Sequence, residues 1–287
     1  MFRILISTFL MINFSCVAVE TSSKESVEKQ YVIHTGPDDQ SYFVRLLEHA
    51  LSYSNGKYAT KAIGSWLPHG REFKMLQEDT QINVAWGGAK PDRESLYLPI
   101  RFPVFRGLMG WRISLLKSKN KNIFSSITNL EKLRELSPGQ HLNWSDTRIL
   151  ESNNIKVVTG SSYEGIFSML DKERFDHFPR AVIEIQRDLE NHKQFDFVID
   201  NKVLIYYPTA SYFYVNKDNH ELAEAISAGL EKALSDGSFD KMFYAEFGHI
   251  LSALNIKSRT VVKLKNPLLS KETPLNRAEL WLDPENF

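Results

Sequence analysis

The chain has 287 residues, enough for one large core or two of ordinary domain size. Hydrophobic residues make up 43% of it, which excludes wholesale disorder, and 35 basic residues balance 35 acidic ones, so no net field favours nucleic acid or an anionic lipid surface. The only cysteine is Cys16, so metal sites built from several thiolates are excluded as well.

Met1-Phe2-Arg3 supplies a positive start, and Ile4 to Val19 is apolar but interrupted by Ser7, Thr8, Asn13 and Ser15. The run is short for a bilayer span, which needs about 20 residues. With Cys16 and Ala18 as small residues ahead of a cleavage point, 1–18 reads as a secretory signal peptide cut after Ala18. An uncleaved anchor helix and a lipoprotein cut before Cys16 are the alternatives. Cleavage after Ala18 predicts a periplasmic chain without thiol or disulfide, folding on core packing alone.

Thr21 to Lys29 is a polar lead-in, and Tyr31 to His34 a short strand. Gly36-Pro37-Asp38-Asp39 forms a turn, with Asp38 or Asp39 capping a helix marked by Tyr42, Phe43, Leu46, Leu47, Ala50 and Leu51. A strand over Lys57 to Ile63, a helix over Arg71 to Glu78 and a strand over Ile82 to Trp86 complete a β-α-β-α-β order, which predicts a parallel sheet flanked by helices.

The strand ending at Trp86 runs into Gly87-Gly88, a polar turn with Asp92 and Arg93, and extended segments around Pro99 and Pro103. A glycine turn beside one fixed guanidinium suits a carboxylate or another anion. Arg106 to Leu116 then carries the chain out to a second alternating unit. There, helices are expected over Ser126 to Leu136, Asp146 to Asn153, from Ser162, and Gln186 to Asn191. Strands are expected over Gln140 to Trp144 and Ile155 to Thr159. Leu204 to Val215 is a long β-rich run returning to the first unit. Asn219 to Asp236 is an amphipathic helix closed by Gly237, and a helix over Phe239 to Phe247 follows. Beyond Ile250, Arg259 to Lys265 reads as a strand and Thr273-Pro274-Leu275 as a turn.

Three stretches resemble the type II periplasmic solute-binding proteins, and more narrowly the family 3 (amino-acid type) extracellular binding proteins. Asp92-Arg93-Glu94 with Leu98-Pro99-Ile100 and Phe102-Pro103-Val104 is similar to the family's Thr-x-x-Arg turn and following strand. Leu170 to Asp176 is similar to its second-lobe helix-to-strand junction. Tyr214 to Lys217, Glu221-Leu222 and Ser235 to Phe239 are similar to its closing segment. The resemblance spans roughly residues 28 to 248 and implies an α/β fold of two lobes with mixed or parallel sheets, flanking helices and two crossovers. Lobe 1 is expected over 28–110 plus 208–250, lobe 2 over 111–207, and a C-terminal extension over 251–287.

It also implies that Arg93 grips a ligand carboxylate; its bland alternative is a surface pair with Asp92 or Glu94. The family's second-lobe acid falls here on Ala181, beside Phe178-Pro179-Arg180. Arg180 is therefore expected to face a second anionic end of the ligand, or else to pair with Glu184. Glu184 is the candidate for an ammonium. Trp86 and Trp66 are candidates for stacking on the ligand, Gly87 and Asp38 for backbone and first-turn contacts, and Trp111 and His34 are weaker candidates.

The resulting expectation is a monomeric binding protein that captures a small, anionic solute between its lobes for an inner-membrane permease or a sensor kinase. No catalytic residue, metal or cofactor is expected, because the eight histidines show no ligand spacing and no carboxylate pair stands at a readable separation. The alternative is a dehydratase- or lyase-like enzyme on the same fold, with Glu184 or Asp176 as acid.

Overall fold

The computed structural model describes residues 29–36, 41–65, 67, 70–78 and 81–287. The leader, Asp38, Asp39 and Trp66 lie outside the described residues, so the roles expected of them have no structural counterpart here.

The first half opens with β1 (Gln30–His34), α1 (Tyr42–Ser52), β2 (Tyr58–Ala62), α2 (Arg71–Glu78), β3 (Val84–Gly88), α3 (Pro91–Leu96) and β4 (Leu98–Ile100). β1 and β2 pair in parallel, as the β-α-β order requires. β3 departs from that order. It is tied to β1 through Asn83, whose amide donates to the Ile33 carbonyl at 2.8 Å and whose side chain accepts from Ile33 N–H at 3.0 Å. Its ladder partner is instead β11, which lies antiparallel between β3 and β4. Two segments read as turns are regular here. Gly87 and Gly88 belong to β3, opposite Tyr212 and Ser211, and Asp92 and Arg93 sit in the short helix α3, begun by Pro91.

The second half holds β5 (Trp111–Lys117), α4 (Leu130–Leu133), β6 (Gly139–His141), α5 (Ser145–Ser152), β7 (Val158–Gly160), α6 (Tyr163–Asp171), β8 (Phe178–Ala181), α7 (Ile185–Asn191), β9 (Phe197–Ile199) and β10 (Val203–Tyr206). β11 (Ser211–Val215), α8 (His220–Ser235), α9 (Ser238–Ala253) and β12 (Thr260–Lys263) follow. One mixed sheet runs β12, β10, β5, β8, with β9 also on β5; β6 and β7 pair separately. The chain passes between these sheets at 101–110, at 207–210 and once more between β11 and β12. The expected single strand from Leu204 to Val215 is therefore two strands in two sheets, separated by Tyr207-Pro208-Thr209-Ala210. At this point Tyr207 N–H meets the Gly110 carbonyl at 3.1 Å, which holds the two crossovers together.

Helix lengths also differ from expectation. The stretch 126–136 shortens to α4, because Asn129 caps it by accepting from Lys132 N–H at 3.0 Å. α9 extends six residues further than expected, burying Phe239, Phe243, Phe247 and Leu251 on one face. The main core joins Leu46, Leu47 and Ala50 of α1 to Ile226 and Leu230 of α8 and to Ile113 and Leu115 of β5. The tail is integral. β12 extends the second sheet in parallel with β10, and Leu282 N–H then bonds the Arg106 carbonyl at 2.9 Å beside a crossover. No helix among the described residues is long and apolar enough to cross a membrane.

Candidate functional site

Where the sheets meet, a polar cavity of about 350 Å³ opens. Gly88 and Lys90 reach it from the end of β3, Met109 and Thr209 from the crossovers, and Ser211 from β11. The opposite wall is Arg112 of β5, Asn143, Trp144, Ser145 and Asp146 at the start of α5, and Arg180 and Glu184 from β8 and the turn after it. Trp144, the N-cap of α5, and Ser145 and Asp146 of its first turn line the cavity, so the positive end of the helix dipole lies at this space.

The charges are arranged in a chain. Arg112 Nη2 lies 2.7 Å from Asp146 Oδ1, which also accepts the Tyr207 hydroxyl. Arg112 Nη1 lies 3.9 Å from Glu184 Oε2, and Arg180 Nη2 lies 3.0 Å from that same oxygen. Arg180 Nε donates to Asp188 Oδ2 at 2.5 Å, and Tyr163 donates to Asp188 Oδ1 at 2.6 Å. The Arg180 guanidinium also sits 4.8 Å from the centre of the Trp144 ring. Burial opposes charge on Arg112, but the negative Asp146, the Tyr207 oxygen and Glu184 outweigh it and hold its pKa above the ordinary arginine value. Burial pushes the Tyr207 phenol well up, so it stays a donor.

Lys90 differs from these groups. It is half-buried, and its side chain has no hydrogen bond or ion pair among the described residues. Burial, with Arg93 and Arg148 nearby, lowers its pKa. Asn143, Ser145, Thr209 and Ser211 also line this space, and their side chains have no hydrogen-bond partner among the described residues. The cavity therefore combines a wall on which Arg112 and Arg180 are paired with Asp146 and Glu184 and, opposite it, the Lys90 ammonium, which has no partner among the described residues.

Of the residues singled out by sequence, Arg180 and Glu184 line this cavity, and their mutual ion pair is present as well. That pair spans a strand end and a turn rather than a helical turn. Gly87 lines a second, neighbouring cavity together with Glu184. Arg93 lines neither. Its Nη1 donates to the Gly88 carbonyl at 2.5 Å, and its guanidinium lies 4.1 Å from the centre of the Phe73 ring. A Cβ on Gly87 would stand 2.6 Å from that Nη1, so the glycine lets the arginine tuck beneath the strand. Neither Asp92 nor Glu94 pairs with Arg93; Glu94 is taken by Arg101 at 2.9 Å.

Trp86 stacks on Phe43 with ring centres 4.8 Å apart and lines neither cavity. Trp111 and His34 are fully buried, with His34 Nδ1 against the Thr35 carbonyl at 2.8 Å. Asp176 is also taken up structurally, accepting from Ser137 N–H at 2.7 Å. Sequence reading missed Lys90, Arg112 and the α5 start. The first two carry no local pattern, whereas Trp144-Ser145-Asp146 ahead of a helix is a readable helix-start signal whose position at a cavity is not. No group of three potential metal ligands comes together among the described residues.

No protein-family model matches the chain, and no curated protein matches it. Solved structures do. The probable amino-acid ABC transporter extracellular-binding protein YtmK from Bacillus subtilis is 15% identical with a TM-score of 0.56, covering 77% of this chain and 98% of its own. An ancestral arginine-binding protein bound to arginine is 19% identical with a TM-score of 0.52, covering 77% and 98%. A periplasmic binding protein of high arginine specificity from Salmonella typhimurium is 17% identical with a TM-score of 0.50, covering 76% and 99%. The fold is the two-lobed α/β fold of the periplasmic binding proteins.

Proposed function

We propose that this chain is an extracytoplasmic solute-binding protein that captures a small charged solute between its two lobes. The observation that carries this reading is the cavity at the junction of the sheets, walled from both sides and lined by charged and polar residues. Lys90 and the α5 N-terminus suit the anionic end of the solute, and Glu184 and Asp146 suit a cationic or hydrogen-donating end. The neighbours described as arginine-binding proteins support a solute that carries both kinds of charge. In this reading the lobes are 28–110 plus 208–250 and 111–207. Contacts from both favour the closed arrangement, and a permease or a sensor reads that difference. Arg180 and Glu184 act as contacts that stay paired to each other. Arg93 supports the Gly87-Gly88 strand, which bounds the site.

A secreted chain with its leader removed near Ala18 agrees with this role, and N-terminal sequencing of the mature protein tests it. Capture itself is tested by a thermal-shift screen with amino acids, dicarboxylates and short peptides, followed by calorimetry. We expect at least one solute carrying a carboxylate to raise the melting temperature and to bind with a micromolar or lower Kd. If no solute of any class does so, the reading fails. The enzymatic reading predicts turnover of a carboxylic acid abolished in Glu184→Gln; no pairing of groups in the cavity favours it over binding.

A further inference from the structure

Beside the polar cavity lies a second of about 450 Å³, and Gly88, Met109, Glu184 and Ser211 line both, so the two spaces adjoin along one edge. The second is different in chemistry. Tyr42 and Phe43 of α1, Phe105 from the first crossover and Phe247 of α9 form an aromatic wall. The rings brace one another. Tyr42 meets Phe247 edge-on at 4.9 Å and stacks on Phe105 at 5.8 Å, and Phe43 meets Phe105 edge-on at 4.9 Å. The Tyr42 hydroxyl is engaged by the Val104 carbonyl at 2.8 Å, so this residue offers ring surface and no free polar group. Ile183 and Arg187, from the segment after β8, and Glu246 of α9 also line it. Arg45 holds Glu246 at 2.5 Å.

A compact polar solute fills the first space and leaves the second to water held against rings, which offer it few hydrogen bonds. An apolar group against the rings removes their surface from water. The wall is braced by ring–ring contacts, so it does not need to be ordered by the ligand.

We propose that the solute is bipartite, with a charged head carrying a carboxylate between Lys90 and Glu184 and an aryl or similarly bulky apolar group against Tyr42, Phe43, Phe105 and Phe247. This rests on the solute-binding reading above and narrows it from charged solutes to amphipathic ones. Ile183, from the opposite wall, contacts the apolar group only when the two walls are together, which makes the aromatic cavity a determinant of specificity as well as of affinity.

Calorimetry with matched probes tests it: glycyl-L-phenylalanine against diglycine, N-benzoylglycine against N-acetylglycine, and L-phenylalanine against glycine. In at least one pair, the ring-bearing member is expected to bind about tenfold to a hundredfold more tightly than its ringless partner. Phe105→Ala should bring that ratio close to one while leaving the ringless probe's affinity unchanged. Ile183→Asn, at a half-buried turn position, should do the same if Phe105→Ala does not fold. Equal affinities within every pair, a preference that survives both substitutions, or a ringless solute that binds while every ring-bearing probe fails overturns the bipartite ligand and leaves solute capture standing. Failure of every solute in both screens overturns capture itself.

Discussion

Lys90 and Arg93 are three positions apart and have opposite surroundings. Arg93 is consumed by the Gly88 carbonyl and the Phe73 ring, whereas the Lys90 side chain lines the cavity without a partner among the described residues. Burial and the nearby arginines lower the Lys90 pKa, so between that value and its ordinary 10.5 the unfolded chain holds a proton that the empty folded protein lacks. In that window its contribution to stability increases with pH. A bound carboxylate favours the charged amine and reverses the shift. Solute binding should therefore take up a proton in that window and weaken as pH climbs through it. Calorimetry in buffers of different ionisation enthalpy measures this uptake, and Lys90→Ala should abolish it. Asp188 presents the opposite case, a fully buried acid whose oxygens hold Arg180 and Tyr163. Asp188→Leu leaves the buried Arg180 with only Glu184 and should cost about 3–5 kcal/mol in chemical denaturation. A loss under 1 kcal/mol would show that Glu184 suffices.

Elements with strong local signals formed where the sequence placed them. α8 has an apolar face, an Asn219 cap that accepts from Leu222 N–H at 3.2 Å, and Gly237 just beyond its end. α2 matches its expected span at both ends. Elements set by pairing did not follow their patterns. Gly87-Gly88 resembles a turn by composition, but the antiparallel partner β11 draws both glycines into the ladder. Packing can also reverse a propensity. Gly229 lies in mid-α8, where alanine is ordinarily better by about 1 kcal/mol. Here, however, a Cβ would stand 2.0 Å from the Ala50 carbonyl oxygen of α1, a backbone atom that cannot move aside alone. Gly229→Ala should therefore destabilise the protein, by about 1–3 kcal/mol once the helices have shifted apart. A melting temperature equal to or above that of the unsubstituted protein would show that the α1–α8 contact is loose.

At the scale of the whole molecule, the tail beyond α9 is part of the body. β12 adds to the second sheet through β10, and Arg106, within the first crossover, donates to the Glu279 carbonyl at 2.8 Å. Arg277 grips Glu231 of α8 with both terminal nitrogens, at 2.5 and 2.8 Å. Leu280 is fully buried in the main core, so Leu280→Ala should cost about 2–5 kcal/mol in a urea melt; a change within 0.5 kcal/mol would mark the tail as a loose appendage. The tail therefore ties the second sheet, the first crossover and α8 to one another. The sequence by itself determined the α/β class and the alternation of helices and strands in each unit, since hydrophobic period, caps and breakers act over a few residues; of the residues it singled out, Arg180 and Glu184 line the cavity. Only the tertiary structure decided that β11 rather than β1 completes the β3 ladder, that Arg93 turns under its strand while Lys90 faces the cavity, and that Arg112, Asp146, Arg180 and Asp188 join in one chain of charge. Those outcomes depend on which distant backbones and side chains come within hydrogen-bonding reach, and residues as far apart as 112, 146 and 184 carry no trace of that meeting in their local pattern.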